Sequence, residues 1–218
     1  MTATKTEKPT PMKTTRSRLL LLTAAGLLAV APARAATLGY TSTGGSADVN
    51  QGNIGLQFTP DQALLLDSLG VYDNGGDGLS VAREVDLWRV ADQVLLASVT
   101  VGAGLAGTLD GGFRFAAITP VLLTAGSLYR VSAVYVNGQG TDDKVFLSTP
   151  TAGPGVTLSP ETYYIAGDTA AYPTSFDSNW RSTANFTIVP EPGSALLVAL
   201  GTVGLLARRR NSGGRNAS

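Results

Sequence analysis

The side chains able to do chemistry here are carboxylates, hydroxyls, amines and guanidinium groups, because the 218-residue chain contains no His and no Cys. That absence excludes a Ser-His-Asp triad, a thiol nucleophile, a disulfide framework and an ordinary zinc site, each of which needs an imidazole or a thiolate. Asp73, Asn74 and Asp77 crowd one Gly-rich stretch, and Asp142 and Asp143 sit in another with Asn137 nearby. Clustered oxygens suit Ca²⁺, which takes about six to eight of them from flexible loops. The spacing reads as unlike an EF-hand, with glycines at the wrong positions and no Glu at the twelfth, and Asp and Asn in turns also serve backbone conformation alone. Asp73, Asp77, Asp142, Asp143 and Glu161 could instead pair as acid and base for glycoside hydrolysis, which needs two carboxyls about 5 to 9.5 Å apart. A third chemistry is stacking: Trp88, Tyr163, Tyr164, Tyr172, Phe176 and Trp180 offer rings to a sugar face, several of them in predicted loops. Trp88 shares the parity of Glu84 and Asp86, which places it on an outward face. The competing reading puts Trp88 under a loop and lets Trp180 close one end of the core. With no recognisable enzyme motif, the expectation is a non-enzymatic protein with no catalytic residue and no cofactor, Ca²⁺ being the one candidate.

The elements that position these residues read as strands. No stretch between the termini sustains a 3.6-residue apolar period over three turns, while short β-rich runs recur with Gly, Asp and Asn between them. The predicted strands are 38–43, 54–59, 64–72, 83–90, 94–101, 112–118, 127–136, 144–148, 162–166 and 183–189. Tyr129, Val131, Ala133 and Tyr135 alternate with Arg130 and Ser132, Val85 and Leu87 with Glu84 and Asp86, and Phe113 and Phe115 with Arg114. Such alternation buries one face of each strand. The run Asp73-Asn74-Gly75-Gly76-Asp77-Gly78 supplies residues that tolerate positive φ, so the chain reverses there. Ala91-Asp92-Gln93 reads as a hairpin turn, and Leu123-Thr124-Ala125-Gly126 as a tight lead-in. Residues 150–160 and 167–179, rich in Pro, Gly, Thr, Ser and Asp, read as long surface loops. The fold class is all-β, a single β-sandwich of jelly-roll type over residues 36–188.

Sixteen Lys+Arg balance 16 Asp+Glu, yet the charges are segregated. Residues 1–35 carry 6 basic residues against 1 acidic (net +5), residues 36–190 carry 6 against 14 (net −8), and residues beyond 190 carry 4 against 1 (net +3). An acidic body does not seek nucleic acid, whose phosphates repel it. At the N-terminus a basic stretch precedes the 12-residue apolar run from Leu19 to Val30, a signal-peptide core in length and short for a membrane span. Ala33-Arg34-Ala35 follows, the small-x-small pattern of a signal peptidase site, and predicts cleavage between Ala35 and Ala36. An uncleaved N-terminal anchor is the alternative.

At the other end Pro190-Glu191-Pro192 makes an extended, accessible joint, since neither strand nor helix continues through it. The 13-residue apolar run from Ala195 to Ala207 follows, then Arg208-Arg209-Arg210. As a helix the run would rise about 20 Å, which snorkelling arginine stems extend across a membrane. Arg208, Arg209 and Arg210 would stay cytoplasmic and leave residues 36–190 outside. A buried C-terminal helix is the alternative. Val-Pro-Glu-Pro at 189–192, the short apolar run and the arginine cluster together resemble the PEP-CTERM sorting signal of Gram-negative bacteria, over residues 189–210 with 211–218 as a tail. The resemblance implies export, transient anchoring in the inner membrane facing the periplasm, cleavage near Pro-Glu-Pro by an exosortase, and delivery to the cell surface or extracellular polysaccharide.

Residues 69–79, Val85-Asp86-Leu87-Trp88, 95–101, 111–115 and 123–129 are similar to an uncharacterised β-sandwich domain of exported sorting-tag proteins, a resemblance covering about residues 64–136. It offers no established catalytic residues to carry over. The expected partners are therefore signal peptidase, an exosortase-type enzyme, the inner membrane and an exopolysaccharide. The expected function is that of an exported surface or matrix protein, with a Ca²⁺-dependent carbohydrate-binding module and then a carboxylate-based glycan-active enzyme as alternatives.

Overall fold

A computed structural model describes residues 36–47, 50–139 and 144–189. The predicted signal and sorting segments and the pair Asp142 and Asp143 lie outside the described residues. All regular structure within them is strand. In chain order these are β1 (Thr37–Leu38), β2 (Tyr40–Thr43), β3 (Ser46–Ala47), β4 (Gly52–Pro60), β5 (Leu64–Tyr72), β6 (Arg83–Arg89), β7 (Val94–Val101) and β8 (Thr108–Asp110). There follow β9 (Phe113–Leu123), β10 (Tyr129–Tyr135), β11 (Val145–Phe146), β12 (Thr149–Ala152), β13 (Val156–Ile165), β14 (Ser175–Asp177), β15 (Arg181–Ser182) and β16 (Ala184–Val189).

Two antiparallel sheets face each other. One has five strands in the order β1-β16-β5-β9-β8, the other six in the order β14-β13-β4-β10-β6-β7. The pairs β2 with β12 and β3 with β11 and β15 form two small sheets. Alternation produces the layers as expected: Ile54, Leu56, Phe58, Val85, Leu87, Val131 and Ala133 of the six-stranded sheet meet Leu66, Leu69, Val71, Phe113, Phe186 and Ile188 of the five-stranded one. Phe58 stacks on Phe186 across the interlayer space with ring centroids 4.3 Å apart. Each such side chain contributes roughly 1.5–3 kcal/mol by leaving water. The fold is the expected all-β sandwich.

In β5 the inward set shifts parity, from Leu64 and Leu66 to Leu69 and Val71. A register shift against β16, where Leu66 and Ser68 pair with the adjacent Ile188 and Thr187, leaves Asp67 as the extra residue that permits it.

Several boundaries differ from the sequence reading. β9 runs on to Leu123 rather than stopping at Ile118, and carries Pro120 in the stretch where its register against β5 shifts. Part of 150–160, read as loop, is strand: β12 pairs with β2, and β13 begins at Val156. Pro160 falls in the gap between Leu158 and Thr162 where β13 slips against β4, so its missing N–H costs no ladder bond. Within 167–179, also read as loop, β14 pairs with β13. The hairpin at 91–93 is present, with Gln93 at φ 58° and the Arg89 guanidinium holding Asp92 at 2.6 Å.

Candidate functional site

The Gly-rich turn after β5 is built around Asp73. Gly75, Gly76 and Gly78 take φ of 88°, 72° and 116°, conformations that side chains with a Cβ resist. The turn folds the Asp73 carboxylate inward, where it is 2 % exposed. There it accepts Arg114 Nε at 2.5 Å and the Gly78 amide at 3.2 Å. Arg114 also donates to the carbonyls of Gly76 at 3.0 Å and Leu105 at 3.2 Å. One guanidinium thus ties the turn, strand β9 and the loop before β8. Counted from Asp73, Gly78 and Glu84 occupy the sixth and twelfth positions of an EF-hand spacing, a match the sequence reading missed. Gly75 stands at the third position, where the second ligand belongs, Arg114 holds the first carboxylate, and Glu84 on β6 accepts the Ser98 hydroxyl at 3.1 Å. Asn74 is half-buried and Asp77 exposed. Among the described residues no three His, Cys, Asp or Glu side chains converge as a metal site.

The aromatics divide between core and sheet face. Trp180, expected as a ligand-stacking ring, is packed in the core instead, 6 % exposed and edge-on to Tyr40 at 5.8 Å. Trp88 does lie on the outer face of the six-stranded sheet, as parity requires, but is only 8 % exposed. The connection 166–174 crosses that face as a strap and covers it. Asn53 of β4 fixes the strap twice, donating to the Thr169 carbonyl at 2.8 Å and accepting the Ala171 amide at 2.9 Å. Asp168 accepts the Asn137 amide at 3.0 Å, and Arg130 donates to the Pro173 carbonyl. Tyr172 of the strap then meets Trp88 edge-on, centroids 6.0 Å apart. Arg130 is held over Tyr163 at 3.8 Å and Tyr172 at 4.8 Å, with its Nε on Gln57 at 3.0 Å. Glu161 accepts the Tyr163 hydroxyl at 2.7 Å. Tyr164 and Phe176 remain exposed, at 40 % and 61 %.

One buried carboxylate under this cover was passed over in the sequence, where its parity reads as solvent-facing. Asp86 is 0 % exposed, and both its oxygens lack a hydrogen-bond donor. Burial pushes its pKa up to about 6, an effect reduced by the nearby Ser98 hydroxyl, whose hydrogen bond goes to Glu84 at 3.1 Å, and reinforced by the charge of Glu84. The signal that could have revealed it is the long 167–179 segment, whose Tyr172-Pro173 is more apolar than a free loop needs.

Residues 40–188 match a domain described as a domain of unknown function (DUF4082). The chain belongs to this family. The DUF4082 domain thus spans β2 to β16 and contains the Asp73–Arg114 turn, the strap and the face beneath it. Directly after it, residues 189–210 match the PEP-CTERM protein-sorting motif. A DUF4082 domain followed by that motif marks an exported protein, processed by an exosortase-type enzyme and bound for the cell surface. Comparison with curated proteins finds none that matches the chain.

Proposed function

We propose that the protein is a non-enzymatic surface or matrix component of a Gram-negative bacterium, whose DUF4082 sandwich associates with the cell's extracellular polysaccharide. The observation that carries this reading is the junction at residue 189. The last strand, β16, ends at Val189, where the sorting motif begins, so the whole folded body lies on the exported side of the processing site. In this reading signal peptidase cleaves between Ala35 and Ala36, and the apolar run Ala195 to Ala207 holds the chain transiently in the inner membrane. The sandwich then faces the periplasm until exosortase cuts near Pro190-Glu191-Pro192.

A structural role is favoured over catalysis by how the acids are used. Asp73 is neutralised by Arg114, Asp177 bonds to Arg181 at 3.0 Å, and Glu161 receives the Tyr163 hydroxyl. A second reading, a carbohydrate-binding module with a saturable site, is favoured by the rings gathered around Arg130, since aromatic faces suit sugar CH surfaces. The test is co-sedimentation of the full chain with the host's extracellular polysaccharide, titrated with calcium and with chelator. Retention in the polysaccharide pellet is expected; no retention in either condition sinks the association, and release by chelator would assign calcium a part.

A further inference from the structure

The row of side chains that crosses the outer face at Asp86 is unusually low. The register places Asp86 opposite Ser98 on β7 and Ser132 on β10, Ser132 opposite Gly55 on β4, and Gly55 opposite Tyr163 on β13. Two serines and a glycine beside one carboxylate leave a furrow across four strands. Its walls are the neighbouring rows, Trp88, Arg130 and Gln57 on one side and Glu84, Val134 and Asn53 on the other. The strap passes between walls, fixed to Asn53 at Thr169 and Ala171 and to Arg130 at Pro173. Its Tyr172 ring meets Trp88 edge-on, and no group of the strap bonds to Asp86.

A fully buried carboxylate without a donor is rare in folded proteins, where over ~90 % of buried polar groups are paired. Asp86 therefore has two acceptors waiting for a partner that the closed strap does not supply. Ser132 accepts the Trp88 indole N–H at 3.2 Å, which fixes the indole plane beside Asp86 and leaves the serine proton to donate outward. The complementary ligand carries adjacent hydroxyls for Asp86, an acceptor for Ser132, and a CH surface for Trp88. That combination describes a sugar ring. A divalent cation fits less well, since it needs about six oxygens and the neighbouring carboxylates are engaged, Glu84 with Ser98 and Glu161 with Tyr163. We propose that this furrow is a saccharide-binding site, in which vicinal hydroxyls of one sugar unit of the extracellular polysaccharide bond to Asp86 beside Trp88 after displacing the strap.

This inference rests on the polysaccharide association proposed above, and two variants separate the two. The full chain is titrated with the host's extracellular polysaccharide and with oligosaccharides released from it, following Trp88 emission and retention. Asp86→Asn keeps the shape of the side chain but loses the paired acceptors, so its affinity should fall roughly tenfold or more. Its melting temperature should be no lower than that of the wild type, which separates lost recognition from lost fold. Asp168→Ala removes the bond between the strap and the Asn137 amide and touches neither the floor nor the walls of the furrow, so its affinity should rise about threefold or more. If the wild type holds the polysaccharide and Asp86→Asn holds it equally well, the furrow is not the site and the association stands. Weaker or unchanged binding by Asp168→Ala overturns displacement of the strap. No binding by the wild type overturns both proposals.

Discussion

At the scale of single residues, the two buried aspartates of this domain show how partner supply decides what a carboxylate does. Asp73 and Asp86 are nearly equally hidden, at 2 % and 0 % exposure, yet Asp73 has a guanidinium and Asp86 has no donor. Removing the partner of a buried charge is far more damaging than never having had the pair. Arg114→Ala is therefore expected to lower stability by about 3–5 kcal/mol in chemical denaturation. Changing both, Asp73→Asn with Arg114→Met, should recover a good part of it; a double variant as unstable as the single one would contradict the buried-charge explanation. For Asp86 the sign is opposite to that of a salt-bridged aspartate. Its folded pKa, about 6, lies above the ordinary value of 3.8, so the folded state binds the extra proton between those values. Stability from this group is greatest below pH 4 and declines as pH rises through 6. Glu84 on the same strand, Ser98 on β7 and Arg130 on β10 keep their own contributions in both proteins, so the difference between wild type and Asp86→Asn isolates it. The variant should gain on the wild type from pH 4 to pH 7 by roughly 2 kcal/mol, read from urea midpoints. A difference independent of pH would mean that Asp86 is ionised or solvated throughout.

At the scale of elements, close approach of β4 and β10 sets what the sheet can carry. A Cβ built on Gly55 would overlap the Val131 carbonyl oxygen and lie 2.6 Å from Ser132 Cα. Gly55→Ala must push the two central strands apart, and a loss of at least 1–3 kcal/mol is expected, read as a lower thermal midpoint. An unchanged midpoint would mean that the sheet yields at no cost. The alternation of Val85 with Asp86, or Val131 with Ser132, made the strands and their inward faces legible in the sequence, because one buried layer imposes period two. It said nothing of what covers the other face. Trp88 was placed on the outward side correctly and is buried all the same, because a strap distant in sequence lies over it. Arg114 reads as an ordinary outward residue between Phe113 and Phe115; only folding brings it 41 positions back to Asp73. The starts of β12 and β13 were hidden by Pro150 and Pro160, whose rings argue against a strand unless it lies at an edge or slips in register, as here. The candidate site was thus readable as a set of residue types and unreadable as a place.

At the scale of the whole molecule, the position of β16 bears on how the sorting signal can work. This strand is no edge appendage: it pairs with β1 on one side and β5 on the other, and Ala184, Phe186 and Ile188 fill the core. The body needs every residue through Ile188, and the sorting motif starts at 189. Cleavage at Pro190-Glu191-Pro192 would therefore leave every described strand in place. The processed protein should melt at the same temperature as the full chain, whereas a truncation ending before Ala184 should not fold. The same placement makes sorting separable from folding. Replacing Pro190, Glu191 and Pro192 by Ala should leave a normally folded domain that keeps its full mass and stays with the membrane fraction, while the native sequence yields a shorter form outside the cell. Gel mobility and fractionation in the host read both. Release of the altered chain at the native size would show that processing does not use this motif, and would leave delivery of the domain to the polysaccharide without its physical route.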